Sequence, residues 1–297
     1  MDAHPQRETP GLVGLVGLGL MGTALAERLL DHGFRVAVWN RTRAKADPLL
    51  ARGAEWTDDP FARCPRVLIS LYSSDVVEEV LDRFADSLRP GHLLVDTTTG
   101  DPNRTVALAA RLKSRAVRYL EAPISGSSEQ TRRGEATVLV GADPADFQAG
   151  ADLWPILGRR VFHVGPCGGA SKMKLVSNLV LGLNRAALAE GLAFAEAIGV
   201  PAAAALEVLA GSNAYSRAMD AKGRKMIERD YTPQARLSQH LKDVRLMLAA
   251  ATDAGLPLPL TETHRRLMEQ AETAGLGDLD NSAILEVLRR PATPAAP

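Results

Sequence analysis

The feature that most constrains this chain lies near its start. The apolar run 12–16 leads straight into Gly17-Leu18-Gly19-Leu20-Met21-Gly22. A helical pattern then covers residues 20–31 and stops at His32-Gly33, and residues 34–39 read as a second strand. A glycine fingerprint alone is weak evidence. Between a strand and a helix, inside a strand–helix–strand unit, it predicts a dinucleotide-binding turn. Gly17 permits the tight turn, Gly19 lets backbone approach a pyrophosphate, and Gly22 lets the helix pack on the sheet. The helix start, with Leu20 and Met21 at its head, offers unbonded N–H groups to phosphates.

The second strand ends in Asn40-Arg41-Thr42. A site selective for NAD places a carboxylate near this point to hold the ribose 2′-hydroxyl. Here that acid is missing. Asn40 and Thr42 can hydrogen-bond, and Arg41 can meet a 2′-phosphate bidentately. The expected cofactor is therefore NADP(H). Further strands are predicted at 67–71, 93–95, 117–120, 136–140 and 161–164. Helices are predicted at 76–88, with Ser73-Ser74-Asp75 as its cap, and at 104–113 with Asp101 and Pro102 as its start. This alternation implies an α/β fold with a doubly wound, mostly parallel sheet. Ligands of such sheets bind beyond the carboxyl ends of the strands. Two polar segments fall there, one over residues 96–102 and one over residues 121–127.

From residue 171 the alternation stops. One helical pattern covers 171–198 and ends at Gly199 and Pro201, as a C-terminal glycine and following proline should. Within it Lys174 and Asn178 stand one turn apart on one face. Leu175, Val176, Leu179, Val180, Leu181 and Leu183 surround them, so the helix reads as buried. A lysine on a buried helix is rare unless paired or used. Desolvation favours its neutral form, which suits a proton donor working near neutrality. Further helices are expected at 202–209, 218–227, 237–254, 262–274 and 282–288. The domains are then a dinucleotide-binding Rossmann domain at 11–166 and an all-α domain at 167–290 for substrate and dimerisation. Residues 1–10 and 291–297 read as disordered tails.

Composition excludes several classes. Lysine plus arginine equals aspartate plus glutamate at 35 each, which gives no reason for a polyanionic partner such as nucleic acid. Two cysteines, Cys64 and Cys167, cannot build a disulfide framework or metal cluster. The histidines show no metal-ligand spacing, and His240 reads as a surface residue. No apolar run approaches the ~20 residues of a membrane span, and the first residues lack the apolar core of a signal peptide. A cytoplasmic protein with a small-molecule substrate is the expectation.

Taken together, these segments resemble the β-hydroxyacid dehydrogenase family, which includes 3-hydroxyisobutyrate dehydrogenases and glyoxylate/succinic semialdehyde reductases. The likeness rests on the glycine fingerprint and on the D-x-S-T-x-x-P segment at 96–102, with Thr98 for serine. It rests further on Ala122-Pro123-Ile124-Ser125-Gly126 and on G-x-G-x-x-x-K-x-x-x-N at 168–178, with Ala170 for glycine. Lys242-Asp243 and the segment around Gly277-Asp278-Leu279-Asp280 complete it. The resemblance implies Lys174 as general acid/base and Asn178 as the residue that orients substrate. It implies Thr99, Ser125 and Gly126 around a substrate carboxylate, with Thr99 also beside the cofactor. Lys242 would reach the cofactor or the carboxylate, with Asp243 nearby. A Rossmann domain, a long interdomain helix, an all-α domain and a homodimer or higher homo-oligomer are implied as well. Where some semialdehyde reductases carry an aromatic residue before the late Lys-Asp pair, this chain has Ala235, which leaves room for a substrate larger than glyoxylate. Two alternatives stand beside this reading. Imine reductases share the Rossmann start but usually lack the lysine and the Ala-Pro-Ile-Ser-Gly stretch. A non-catalytic NADP(H)-binding interaction module would keep the fold and lose the lysine.

Overall fold

The computed structural model describes residues 11–289. Both expected tails, and residue 290, lie outside the described residues. The chain divides between Lys174 and Leu175 into two compact units.

The first unit is built on six strands: β1 (Leu12–Val16), β2 (Arg35–Trp39), β3 (Glu55–Trp56), β4 (Arg66–Ile69), β5 (Leu93–Asp96) and β6 (Arg118–Glu121). They form one parallel sheet in the order β3-β2-β1-β4-β5-β6. This is the doubly wound order of a Rossmann fold, reversing direction beside β1. Side chains alternate between the two faces, so each strand feeds two cores. Val13, Leu15 and Leu68 pack with Leu25 and Leu29 of α1 (Leu20–Asp31) on one side. Val16, Val67, Ile69 and Leu94 pack with Phe61 and Leu81 on the other. Two longer helices complete the layers, α2 (Ser74–Arg83) and α3 (Pro102–Lys113). Asp101 caps α3 by accepting from the N–H groups of Asn103 and Arg104. The expected cap of α2 is different: Ser73 makes no side-chain cap bond, and Ser74 Oγ instead accepts from Asp101 N–H at 2.9 Å.

The last predicted strands leave the main sheet. Residues 121–127, read as a polar segment beyond the strand ends, contain β7 (Ile124–Ser125). It pairs antiparallel with β8 (Thr137–Val140), which pairs parallel with β9 (Arg160–His163) in a separate three-stranded sheet.

The long helix α4 spans Gly169–Ala197. It closes at Gly199, at φ +84°, with Val200 N–H reaching back to Ala195 O at 2.8 Å. The second unit adds α5 (Ala202–Ala210), α6 (Leu237–Asp253) and α7 (Pro259–Thr273), followed by a 3-10 turn over Asn281–Ile284 and a short helix over Leu285–Arg289. Its core joins Leu188 and Leu192 of α4 to Leu241 and Val244 of α6 and Met268 of α7. The expected helix at 218–227 is split, with a π-helical turn over Met219–Gly223 before the short helix Arg224–Glu228. Nor is α4 buried all round. Val176 is 58% exposed and Val180 52%. Apolar residues circle the helix because one face packs inward and the other is left open. No helix among the described residues is long and apolar enough to cross a membrane.

Candidate active site

The glycine turn is set by sterics. Gly17 adopts φ +97°, and a Cβ there would strike the Ser70 carbonyl oxygen. A Cβ on Gly22 would strike the Gly17 carbonyl, so α1 sits directly on the turn. Gly19 differs: the space where its Cβ would stand is open, and no side chain caps α1. Gly19 and Leu20 are exposed and Met21 is half-buried. An uncapped helix start behind an open glycine fits a dinucleotide's phosphates.

At the end of β2, Asn40 braces this turn. Its Oδ1 accepts from Leu18 N–H at 2.9 Å and its Nδ2 donates to Thr42 O at 2.9 Å. Each end of its amide keeps one further hydrogen-bonding position. Arg41, Thr42, Arg43 and Lys45 are exposed, and none of these three cations forms a salt bridge among the described residues. Arg43 lies over the Trp56 ring, 5.1 Å from its centroid.

The polar segment after β5 is held from within. Asp96 Oδ1 accepts from Thr98 N–H at 2.8 Å, and its Oδ2 accepts from Tyr119 Oη at 2.6 Å. Burial pushes the Asp96 carboxyl up against those hydrogen bonds. Thr97 Oγ1 donates to Ile69 O, and Thr98 Oγ1 accepts from Leu71 N–H. Thr99, next along, is half-buried, as are Ser125 at the end of β7 and Gly126 after it.

Lys174 lies on the second turn of α4 and is 5% exposed. Its Nζ donates to Ile124 O at 2.7 Å, which ties it to the strand that leads into Ser125 and Gly126. Glu121, at the end of β6, is 1% exposed. Its Oε1 accepts from Gly168 and Ala170 N–H at 2.6 and 2.7 Å, and its Oε2 from Ser171 N–H at 3.0 Å and from the Ser171 hydroxyl. A glutamate closing an apolar strand pattern was the available signal, because an acid there must find donors.

In the second unit, Asn178 and Asp243 are buried, and Asn178 Nδ2 donates to Asp243 Oδ2 at 3.0 Å. Lys242 Nζ stands 3.0 Å from Asp243 Oδ1. The three residues thus form one connected group across α4 and α6. His240, expected on the surface, is buried instead, with its ring 5.3 Å from that of His264. It sits on the inward face of α6, close over Gly182, where a glycine leaves room for the two rings. Asp280, the last residue of the Gly277-Asp278-Leu279-Asp280 segment, is fully buried and takes Lys222 Nζ on both oxygens at 2.8 and 2.9 Å. It also accepts from the N–H groups of Gln234, Ala235 and Ser282, which fixes Ala235 in the loop before α6.

Comparison with known proteins gives the family. Residues 12–165 match the NAD-binding domain of 6-phosphogluconate dehydrogenase, and residues 168–288 match the NAD-binding region of NADP-dependent 3-hydroxyisobutyrate dehydrogenase. The chain is 31% identical over 284 residues to glyoxylate/succinic semialdehyde reductase 1 of Arabidopsis thaliana, covering 93% of this chain and 98% of the relative. It is 30% identical over 282 residues to 2-(hydroxymethyl)glutarate dehydrogenase of Eubacterium barkeri, covering 93% and 94%. The crystal structure of a 3-hydroxyisobutyrate dehydrogenase from Salmonella typhimurium superposes with a TM-score of 0.86 at 26% identity, covering 93% of this chain and 99% of that one. With a Rossmann sheet, an open glycine turn and a buried lysine at the start of a long helix, the chain belongs to the β-hydroxyacid dehydrogenase family of NAD(P)-linked oxidoreductases.

Proposed function

We propose that this protein is an NADPH-dependent reductase of small aldehydes that carry a carboxylate, with Lys174 as its proton donor. The observation that carries the reading is Lys174 itself: 5% exposed, on a long helix, and fixed by Nζ to Ile124 O at 2.7 Å. A buried amine next to Ser125 and Gly126 is costly to keep and suited to proton transfer.

The cofactor preference rests on the end of β2. No carboxylate stands at residues 40–46 behind Trp39, and Arg41, Arg43 and Lys45 are exposed and lack acidic partners among the described residues. Elsewhere this protein pairs most of its arginines. Exposed cations left together suit an external anion, and the 2′-phosphate supplies one. Gly17, Gly19, Leu20, Met21 and Gly22 would hold the pyrophosphate. Asn40 would keep the turn in shape while Arg41 and Thr42 meet the ribose phosphate. Thr99 and Lys242 would complete the cofactor contacts. When bound, the reduced nicotinamide supplies a hydride to the carbonyl carbon.

As the carbonyl is reduced, its electron pair settles on oxygen, and Lys174 Nζ gives that oxygen a proton. In the reverse direction the neutral amine takes the proton from the hydroxyl. Ser125, Gly126 and Thr99 offer hydroxyl and N–H donors to the substrate carboxylate. Asn178 orients the substrate, held in place by Asp243, which also holds Lys242. In this reading residues 11–166 serve the cofactor and residues 167–290 serve substrate and assembly. The exposed Val176, Val180 and Phe194 of α4 support a homodimer.

The test is NADPH oxidation at 340 nm against glyoxylate, succinic, tartronate and methylmalonate semialdehydes and cyclic imines, with NADH in parallel. Turnover of one semialdehyde with NADPH preferred is the expected result. Arg41→Ala should then weaken NADPH by about 10–100-fold, the worth of one hydrogen bond to a charged group, and leave NADH unchanged. Turnover of imines alone would overturn the reading.

A further inference from the structure

We infer that Glu121 is a positioning residue for Lys174, and that it acts by pinning the first turn of α4 to the end of β6. The inference rests on the reading of Lys174 as proton donor.

A helix start leaves backbone N–H groups without partners, and the usual remedy is a polar side chain at the residue just before the helix. Asp101 does this for α3. At α4 the preceding residue is Gly168, which has no side chain to offer. The acceptor comes instead from Glu121, 47 to 50 residues away in sequence, and it takes three N–H groups and one hydroxyl. Nor would a serine serve at position 168, where φ is +96° and a Cβ would strike Val106. Only a distant carboxylate fixes that start to a particular strand.

The second link closes the clamp. Ile124, three residues beyond Glu121, receives the Lys174 Nζ, and Lys174 lies three residues beyond Ser171. One segment, 121–124, therefore holds the helix backbone through the Glu121 side chain and holds the lysine side chain through the Ile124 backbone. Ser125 and Gly126 follow directly. The distance from lysine to carboxylate-binding donors is thus set by Glu121 at one end and Ile124 at the other. Glu121 forms no salt bridge among the described residues. Its charge is met by N–H groups, the Ser171 hydroxyl and the helix end, without a cation. A buried acid without a cation is expensive, and the position it fixes is where a misplacement of about 1 Å costs on the order of 100-fold in rate.

Glu121→Gln keeps the shape but turns one acceptor into a donor facing N–H groups. The test compares wild type, Glu121→Gln, Lys174→Ala and the double variant as full-length proteins, with NADPH and succinic semialdehyde as probe. Turnover is scaled to NADPH-binding protein. Amide exchange at residues 168–171 is measured on the same proteins without cofactor. Expected are faster exchange at 168, 170 and 171 in Glu121→Gln, a loss in kcat of roughly 10–100-fold, and NADPH affinity within about twofold. In the Lys174→Ala background the same change should cost nothing further, because non-additivity marks residues that act through one another. An equal fold loss in both backgrounds, or an unchanged kcat, overturns the inference. If Lys174→Ala alone turns over normally, the proton-donor reading falls and the inference falls with it. A wild type silent on the probe leaves the exchange arm to decide, where unchanged exchange removes the pin. Should Glu121→Gln not fold, Ser171→Ala removes the hydroxyl bond alone and enters the same cycle with a smaller loss of about threefold.

Discussion

Glu121 in the first unit and Asp280 in the second do similar mechanical work by opposite electrostatics. Each is a fully buried carboxylate that gathers backbone N–H groups from a turn leading into a helix. Glu121 holds the start of α4, and Asp280 holds Gln234 and Ala235 ahead of α6. Only Asp280 has a cation, Lys222, on both oxygens. For Glu121, burial outweighs the hydrogen bonds from Ser171, Ala170 and Gly168 and raises its carboxyl. For Asp280, burial pushes upward too, but Lys222, Gln234 and Ser282 together bring it below its usual value. The two acids therefore respond to pH with opposite sign. The raised group contributes stability below the unfolded value of 4.5 and loses it as pH rises through its folded value. The lowered group contributes stability above the unfolded value of 3.8 and loses it as pH falls through its folded value. N–H donors suffice to place an acid, whereas a cation is needed to make its charge stabilising.

The sharpest way to break this contrast is to remove the cation. Lys222→Met should cost about 3–5 kcal/mol, the price of leaving a buried charge alone. Urea unfolding would measure it. A loss under 1 kcal/mol would mean that the N–H groups around Asp280 suffice, as they do at Glu121.

Acid should separate the two units next. Burial, then the Arg185 charge, pushes His264 down from 6.5 to about 4. Above pH 6.5 the ring is neutral folded or unfolded. Below it the unfolded chain takes up a proton that the folded chain refuses, so stability falls between pH 6.5 and about 4. The loss is on the order of 2–3 kcal/mol, and His264→Gln should flatten it. All three tryptophans, Trp39, Trp56 and Trp154, lie in the first unit. On acidification, helical circular dichroism should therefore fall before tryptophan emission moves. Simultaneous change in both signals would contradict the contrast.

The local cap gives the smallest effect. Asp101→Ala should cost about 1 kcal/mol of stability, typical of a lost N-cap, and leave kcat within about twofold. A drop in kcat as large as that of Glu121→Gln would erase the distinction between a local cap and a distant pin.

The sequence made the first unit readable wherever periodicity ran long enough to count. β1, the glycine turn, α1 and β2 fell within a residue of their predicted places because apolar runs and glycines mark both ends of each element. β3 and β7 escaped because two residues carry no period. Pairing partners escaped too. Alternating strands and helices do not say which strand leaves the sheet, and β8 and β9 did. Lys174 stood out as a charge among apolar neighbours. Glu121 carried the same kind of signal, one charge at the end of an apolar strand, but its partners sit 47 to 50 residues away and only folding brings them together. The burial of His240 escaped because its ring partner, His264, stands on the next helix, α7, and only folding brings the two together.

The most direct measurement is turnover of succinic semialdehyde by Lys174→Ala beside wild type, with NADPH affinity determined on the same preparations. The expected result is unchanged NADPH binding with kcat lower by about 10²–10⁴-fold, the usual worth of general acid/base help. Near-normal turnover in that variant would contradict the role given to Lys174 and, with it, the reason for the carboxylate that holds its helix.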